Sequence, residues 1–398
     1  MKNSMRVDEI ENITDLCTGC AACIDACPKK CIKPILKDDG FRYVSITKSE
    51  CIQCGKCAVI CPVANFKKHK EQQHLYAVYA KDNEIRNGGS SGGVFELLAK
   101  YFLSKGYAVC GAAFDGTILR HRIIRSVEKL SPLLKSKYLQ SDTNGIYREI
   151  MTALKNGEKI FFCGTPCQVS ALKNSVPEDL QAKLFTADII CHGVPSQKVF
   201  DEYIETIEKK GKGKIQNFSF RVKNNKYRHA HGFSYLLSKN ACEKIVNGIY
   251  LQSSYYNAFK KYLFFRESCY ECRYATLDRV SDITLGDFWG IEKYNFPADI
   301  DKGVSMVIVN TPEGEEVFKI VSSETVYHEF PIEYGVESNY CLTHATKKPI
   351  QRDIVMESLE NNGYEATARR FFKCSFVEKI YSVLPSGIRN LRKKLRRK

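Results

Sequence analysis

The chain has 398 residues, more than the roughly 100 to 200 of a typical single domain, so its length predicts two or three folding units. Its formal net charge is +15, but six of the last eight residues are basic, and the rest of the chain has neither an aromatic-interleaved basic motif nor a zinc-finger histidine pair. We therefore expect no nucleic-acid partner. No stretch approaches the about 18 uninterrupted apolar residues of a membrane-spanning helix.

The chain contains eighteen cysteines, and its first residues, MKNSMRVDEIEN, are acidic and polar where a secretory signal would be apolar. Disulfides belong mainly to oxidising compartments. We therefore expect a cytoplasmic protein whose cysteines bind metal.

Two cysteine runs with the same spacing lie within the first 65 residues, which indicates an internal duplication. The first run is Cys17-x2-Cys20-x2-Cys23-x3-Cys27-Pro28, and the second is Cys51-x2-Cys54-x2-Cys57-x3-Cys61-Pro62. This is the spacing of bacterial ferredoxins, in which the fourth cysteine of each run binds the other cluster. The sequence therefore predicts two 4Fe-4S clusters, one on Cys17, Cys20, Cys23 and Cys61 and the other on Cys51, Cys54, Cys57 and Cys27.

The alternative is a zinc ribbon, which would use only four of these eight thiols. In the ferredoxin interpretation, tight loops turn backbone N–H groups toward the sulfur atoms, helped by the flexible Gly19 and Gly55. Cys31 lies outside the pattern and is expected to be a core residue. Residues Phe41 to Thr47 between the runs are expected to form a short strand.

A larger α/β domain is predicted after a lysine-rich linker at residues 67–70. A strand from Leu75 to Ala80 leads to a glycine-rich loop, which opens a helix from Val94 to Ser104. The loop consists of Gly88, Gly89, Ser90, Ser91, Gly92 and Gly93. Such a loop can bind phosphate through backbone N–H groups. It lacks the P-loop lysine and the G-x-G-x-x-G order, so a plain structural turn remains the alternative.

Two later strands each end at a loop that contains a cysteine. The strand from Lys159 to Cys163 leads to Cys167, with a helix resuming near Val169, and the strand from Leu184 to Ile190 leads to Cys191. In a β-α-β pattern both loops lie at the carboxyl edge of the sheet, where α/β proteins build their sites. If the strands are neighbours, the two thiols face one crevice.

A further C-x2-C pair, Cys269 and Cys272, precedes a strand-like run from Ser281 to Leu285. Together with Cys167 and Cys191 it could hold a third 4Fe-4S cluster. A zinc site is one alternative, and a nucleophilic or redox thiol formed by Cys191 and His192 is another. The remaining cysteines have no partner spacing and are expected to be core or incidental: Cys110, Cys163, Cys242, Cys341 and Cys374.

Several ordered motifs in the larger domain resemble those of a known family. They are GGSSGGVF (88–95), SKYLQSD (136–142), GTPCQ (164–168), CHGVPS (191–196), CYECRY (269–274) and SDITLGDFWG (281–290). The likeness is to the beta subunits of coenzyme F(420)-reducing hydrogenases and dehydrogenases, in a form with a fused N-terminal ferredoxin.

The resemblance implies an oxidoreductase that binds FAD, holds a third 4Fe-4S cluster on Cys167, Cys191, Cys269 and Cys272, and exchanges hydride with a deazaflavin coenzyme. Cys163 looks like a local addition to the family pattern. Flavin contacts are implied for the glycine-rich loop and for the next stretch of the motif. These residues are Gly88 to Gly93 together with Lys137, Tyr138, Gln140 and Ser141. Catalytic residues are not identified.

The predicted fold class is mixed α/β (α+β), with a bacterial-ferredoxin-like module followed by a larger flavin and iron-sulfur domain. The expected divisions are 1–70 for the module, 74–156 and 157–345 for the two parts of the larger domain, and 346–398 for a helical basic extension. The end of that extension has apolar residues at helical spacing, which would allow peripheral contact with the inner face of a membrane or with an acidic partner. A solvated terminus is the alternative.

Functionally, we expect electrons to pass between a hydride-carrying coenzyme and a redox partner protein through FAD and the clusters. A second hypothesis is a non-catalytic electron-transfer subunit without flavin. A third is a redox protein of bacterial surface-polysaccharide biosynthesis that uses Cys191 and His192 as a thiol catalyst.

Overall fold

The computed structural model describes residues 15–67, 73–223, 231–240, 242–294 and 296–374. Its described strands form a two-stranded sheet near the N-terminus, an eight-stranded sheet and a three-stranded sheet. The expected mixed α/β fold class is confirmed. The predicted amphipathic tail and all of the predicted linker except Lys67 lie outside the described residues.

The N-terminal module is built from two short strands and two one-turn helices. Strands β1 (Ile32–Leu36) and β2 (Arg42–Ile46) are antiparallel, with Ile32 opposite Ile46. Helices α1 (Ala22–Ala26) and α2 (Lys56–Ile60) pack against each other. The strand expected between the cysteine runs is thus present, one residue shorter at each end.

The larger domain supplies all the remaining described strands. They are β3 (His74–Ala80), β4 (Tyr107–Asp115), β5 (Ile118–Ile124), β6 (Lys159–Gly164), β7 (Leu184–Ile189), β8 (Lys214–Lys223), β9 (His231–Lys239), β10 (Cys242–Ile249), β11 (Ile283–Asp287), β12 (Ser305–Val309) and β13 (Thr325–Phe330). The eight-stranded sheet has the order β13-β3-β12-β11-β7-β6-β4-β5, and the antiparallel strands β8, β9 and β10 form the three-stranded sheet.

The middle of the large sheet, β11-β7-β6-β4, is parallel throughout. The carboxyl ends of these strands therefore lie at one edge, as expected for a β-α-β pattern. Since β6 and β7 are direct neighbours, the loops carrying Cys167 and Cys191 leave the sheet side by side. The adjacency that the sequence analysis left conditional is confirmed.

The larger domain also supplies the remaining described α-helices. They are α3 (Asn83–Gly88), α4 (Val94–Ser104), α5 (Ile146–Lys155), α6 (Pro166–Ser175), α7 (Glu178–Gln181), α8 (Gln197–Gly211), α9 (Ser254–Lys260), α10 (Glu267–Tyr270), α11 (Pro312–Val321), α12 (Ile332–Ser338) and α13 (Arg352–Phe371). Helix α13 is interrupted at Gly363, whose φ is 71°. No described helix is long and apolar enough to cross a membrane.

Some boundaries differ from the sequence expectation. The helix expected to resume near Val169 begins at Pro166, because Thr165 and Gln168 form a capping box and the proline suits the first helical turn. The strand expected from Ser281 begins at Ile283. The helix from Val94 to Ser104 has the predicted bounds.

Apolar side chains cover both faces of the large sheet. On β6, Phe161 packs in a cluster with residues of α4, while its neighbours Ile160 and Phe162 pack on the other side with α5 and α6. This alternation is the ordinary period of a strand. The second cluster also contains Cys20, Ala22 and Ile60 of the N-terminal module, so one continuous core joins the module to the larger domain.

A buried ion pair ties β7 to the segment before β11. The Nη2 atom of Arg279 lies 2.8 Å from Oδ1 of Asp188, and the two side chains are 1% and 0% exposed. Arg279 also donates to carbonyl oxygens of Tyr274 and Ile189 and to the hydroxyl of Thr284. The arginine therefore fixes the chain that follows the C-x2-C pair.

We expect Arg279→Met to lower the free energy of unfolding by about 3–5 kcal/mol, because it leaves the Asp188 carboxylate buried without a cation. Adding Asp188→Leu should recover a large part of this loss, since buried pairs can often be replaced by apolar residues. Anaerobic urea unfolding of the single and double variants tests this. A double variant no more stable than the single one would contradict it.

Candidate functional site

The eight cysteines of the N-terminal module are divided between two cavities in the crosswise manner predicted from their spacing. Four of them line a cavity of about 470 Å³, and we call these the first quartet: Cys17, Cys20, Cys23 and Cys61. The other four line a smaller cavity, and we call these the second quartet: Cys27, Cys51, Cys54 and Cys57. Each quartet thus takes three thiols from one run and one from the other.

The two halves of the module repeat the same local geometry. The N–H groups of Gly19 and Gln53 lie 3.4 Å from the sulfur atoms of Cys17 and Cys51, which are equivalent positions in the two runs. Backbone N–H groups therefore turn toward sulfur as expected, although only the first of these donors is a glycine. Gln53 adopts a positive φ of 53° in its place.

Cys31, expected to be a core residue, is buried but also lines the smaller cavity. Its sulfur lies 3.3 Å from that of Cys27. The expectation therefore gave its burial correctly and missed its contact with the second quartet.

A cavity of about 730 Å³ lies at the carboxyl edge of the parallel strands, and we call it the main cavity. It is lined by the third quartet, which consists of Cys167, Cys191, Cys269 and Cys272. Cys167 lies in the first turn of α6, Cys191 follows β7, and Cys269 lies in α10. Elements far apart in the chain thus converge on one place.

Burial dominates the acidity of these thiols. Burial first, and then neighbouring thiols of the same quartet, raise the pKa of Cys167 and of Cys269 to about 12. Burial likewise raises the pKa of Cys191, with Cys269 the next contributor. Among the described residues, no group of three or more His, Cys, Asp or Glu side chains is arranged to hold a single metal ion.

The Cys191–His192 pair proposed as an alternative catalyst does not form a contact between the two side chains. Nδ1 of His192 lies 3.4 Å from the sulfur of Cys341, and Cys191 joins the third quartet instead. Neighbours in an extended loop point in different directions, which separates the two side chains.

The glycine-rich loop forms another wall of the main cavity. Gly89, Ser90, Ser91 and Gly93 line it, whereas Gly88 ends α3 and Gly92 packs against the sheet. A Cβ atom on Gly92 would lie 2.2 Å from the carbonyl oxygen of Val78, so only glycine fits there. The close approach of the loop to β3 therefore explains this glycine.

The second stretch implied to contact flavin also lines the main cavity, but two of its side chains have other partners. Gln140 donates to the carbonyl oxygen of Thr18 and accepts from Arg266, so its amide joins the two domains. Ser141 contacts the ring of His121 and the amide of Gln168.

Lys137 and Tyr138 from the same stretch face other groups of the cavity wall. Nζ of Lys137 donates to the carbonyl oxygens of Leu133 and Leu134, both at 2.8 Å. Burial lowers the pKa of Lys137 to about 7. The hydroxyl of Tyr138 accepts a hydrogen bond from Arg221.

A polar group at this wall has no signal in the sequence. Arg221 is 4% exposed and forms an ion pair with Asp287 at 2.9 Å. Three buried atoms on the cavity wall have no hydrogen-bond partner among the described residues: Ser91 Oγ, Arg221 Nε and Tyr256 OH. Asp287 lies within a quoted motif, but no spacing singled out Arg221 or Tyr256.

The first quartet lies beside the third. The hydroxyl of Tyr274 donates to the carbonyl oxygen of Pro62 and contacts Ser170, at 2.6 and 2.7 Å. Its buried ring lies within electrostatic range of Cys20, Cys61 and Cys167. The module is thus docked with its first quartet toward the main cavity.

Comparison with known proteins gives two family matches. Residues 157–334 match the family described as the C-terminal part of the coenzyme F(420) hydrogenase/dehydrogenase beta subunit, and residues 16–65 match the 4Fe-4S dicluster domain. The second match covers both cysteine runs.

Individual relatives match mainly the module. The chain is 36% identical to a ferredoxin of Saccharopolyspora erythraea over 62 residues, which is 16% of this chain and 54% of that ferredoxin. It is 34% identical to a ferredoxin of Mycolicibacterium smegmatis over 78 residues, which is 19% of this chain and 69% of that ferredoxin. A solved chain of the F(420)-reducing nickel-iron hydrogenase complex from Methanosarcina barkeri aligns with a TM-score of 0.43 at 17% identity, covering 76% of this chain and 91% of that one.

We expect the stability of the protein to depend on pH through Lys137. Its pKa is about 7 in the fold and about 10.4 in the unfolded chain, so between these values the unfolded state binds more protons and stability rises with pH. The gain is up to about 1.4 kcal/mol per pH unit. Lys137→Met should lack it, which urea unfolding at pH 7.5 and 9 measures. Parallel pH dependence in both proteins would contradict this expectation.

Proposed function

Because this chain belongs to the coenzyme F(420) hydrogenase/dehydrogenase beta-subunit family and carries a 4Fe-4S dicluster ferredoxin module, we propose that it is an iron-sulfur flavoprotein oxidoreductase. It would pass electrons between a hydride-carrying coenzyme, such as a reduced deazaflavin, and a one-electron partner protein. Three 4Fe-4S clusters would occupy the three quartets, and FAD the main cavity.

The observation that carries the proposal is the distribution of the cysteines among the cavities. Twelve of the eighteen cysteines fall into three quartets, and each quartet lines a different cavity. The third quartet shares the main cavity with the glycine-rich loop. A cofactor bound against that loop would therefore lie next to the third cluster.

The wall of the main cavity suits a large, partly aromatic and partly anionic ligand. Tyr138, Phe95 and Phe259 supply aromatic surface, and the cavity volume lies within the range of ligand pockets. The unpartnered Ser91 Oγ and Arg221 Nε are buried polar groups that need a hydrogen-bond partner. A flavin dinucleotide offers both an aromatic ring and phosphate oxygens.

When bound, a flavin supplies the exchange between hydride and single electrons, and the protein supplies position and environment. Asp287 holds the guanidinium of Arg221, which also donates to the carbonyl oxygen of Ser90. Arg221 thereby fixes the loop and keeps its Nε free for an acceptor. Lys137, with its lowered pKa, can hold or release a proton near neutral pH.

The order of the quartets favours a linear path for electrons. The first quartet adjoins both of the others, since Cys57 lies within electrostatic range of Cys23 and Cys167 within range of Cys20, and Tyr274 packs beside the first and third quartets. In the second quartet, Cys54 is exposed. The second cluster would therefore be the contact point for the partner protein, and the main cavity the entry point for the hydride carrier.

Anaerobically purified protein tests the proposal directly. We expect about twelve iron atoms per chain, at four per cluster, and release of one flavin on acid denaturation. Reduced deazaflavin, NADH and NADPH should then be compared as donors by bleaching of the flavin and cluster absorption. Absence of flavin after faithful reconstitution would contradict the enzyme and favour an electron-transfer subunit.

Replacement of Cys269 by serine should remove the third cluster alone. We expect iron to fall by about four atoms while flavin content stays near that of the wild type, because the glycine-rich loop is untouched. Hydride donors should still bleach the flavin. The rate of reduction of a one-electron acceptor should fall at least about tenfold, because electrons can no longer pass through the third cluster. Cys242→Ser, at an exposed cysteine outside every quartet, is the control and should change neither.

A further inference from the structure

The largest side chain that is fully buried in the described part of the protein is a cation, Arg266. It is 1% exposed and lies where the N-terminal module meets the larger domain. Its Nη1 atom donates to the carbonyl oxygen of Cys17 at 3.0 Å, and Nη2 to that of Arg42 at 2.7 Å. Nε donates to the side-chain oxygen of Gln140 at 3.1 Å. All three acceptors are uncharged.

No carboxylate among the described residues forms an ion pair with Arg266, and in this it resembles the buried Arg86, which donates to carbonyl oxygens, whereas three other buried arginines have a carboxylate partner. Arg221 pairs with Asp287, Arg279 with Asp188, and Arg352 with Glu267 and Asp353. A buried charge is costly unless it is paired. The rings of Phe41 and Tyr43, 4.7 and 4.8 Å away, stabilise the cation only in part. An anion close to the guanidinium would therefore stabilise it further.

Residues of two quartets contact Arg266. It donates to the main chain of Cys17 in the first quartet, and a Cβ atom on Gly19 would lie 2.4 Å from its Nη2, so it packs directly on the cluster loop. In the third quartet, Cys269 donates its N–H to the carbonyl oxygen of Arg266 at 2.9 Å, and the guanidinium acts electrostatically on that thiol. Among the described residues, no comparable contact joins it to the second quartet.

We propose that the counter-ions of Arg266 are the two anionic clusters on the first and third quartets, and that Arg266 is a positioning residue that docks the module and raises the reduction potentials of both. The inference rests on the proposed function for the presence of the clusters. A cluster with four thiolates gains a further negative charge on reduction, so a fixed cation nearby favours the reduced form.

The arrangement also makes docking and electron transfer depend on one group. The guanidinium holds the module through main-chain carbonyl oxygens, and the same charge acts on the clusters that face each other across the junction. No contact among the described residues joins the guanidinium to the second quartet, so the cluster there should respond least to its charge. That cluster provides an internal reference within the same molecule.

The test is a redox titration of the full-length protein, loaded with its clusters and followed by electron paramagnetic resonance. Arg266→Met removes the charge and keeps the length, whereas Arg266→Lys keeps the charge. We expect the Met variant to lower the potentials of the first and third clusters by about 59 mV, a tenfold change in the reduction equilibrium, and the Lys variant to restore most of it. The second cluster, identified by loss of its signal in Cys54→Ala, should not shift.

If the Met variant does not assemble its clusters, Gln140→Glu replaces it as the decisive variant. The Gln140→Glu variant keeps the arginine and places a carboxylate where the amide oxygen lies 3.1 Å from Nε. It should also lower the reduction potential of the cluster on the first quartet. Unchanged potentials in that variant, or equal shifts of all three clusters in the Met variant, would overturn the inference. Wild-type protein without clusters would overturn the proposed function as well, and iron analysis distinguishes that case.

Discussion

The parallel alignment of β4, β6, β7 and β11 is the constraint on which the rest of the structure depends. Parallel strands need crossovers, and their carboxyl ends meet at one edge, so the loops after β6 and β7 must leave the sheet side by side. Cys167 and Cys191 are brought together by this rule, and Asp287 reaches the same edge at the end of β11. Glycine at position 92 then lets the loop after β3 approach closely enough to close the wall of the cavity.

The N-terminal module depends on that edge for its orientation. Its two one-turn helices share a core with α5 and α6, and the hydroxyl of Tyr274 and the guanidinium of Arg266 hold the main chain around its cysteines. Hydrogen bonds to main-chain carbonyl oxygens fix the position of a loop without restricting its side chains. The thiols of the first quartet thus remain directed at their own cavity while the module is attached at several points.

Polar groups at the junction and at the cavity wall differ in a way that indicates their roles. Asp188 and Arg279 form a buried ion pair that ties β7 to the segment before β11, whereas Arg221 has a carboxylate and still presents an unpartnered Nε at the wall of the main cavity. Arg266 lacks a carboxylate partner among the described residues. Since native proteins rarely leave buried polar groups unpaired, an unpaired group on a cavity wall marks a place where a ligand can complete the hydrogen bonding.

By itself, the sequence determined what short-range spacing controls: the two cysteine runs and their crosswise division, the helix from Val94 to Ser104, and the strands that lead to Cys167 and Cys191. Ligand spacing and periodicity are local properties, so they can be recognised in the sequence before the fold is known. Only the tertiary structure decided that Gln140 faces the module, that His192 contacts Cys341 rather than Cys191, and that Arg221 and Arg266 are buried beside the cavities. Arg266 and Cys17 are 249 positions apart, and no local pattern records a contact that packing alone creates.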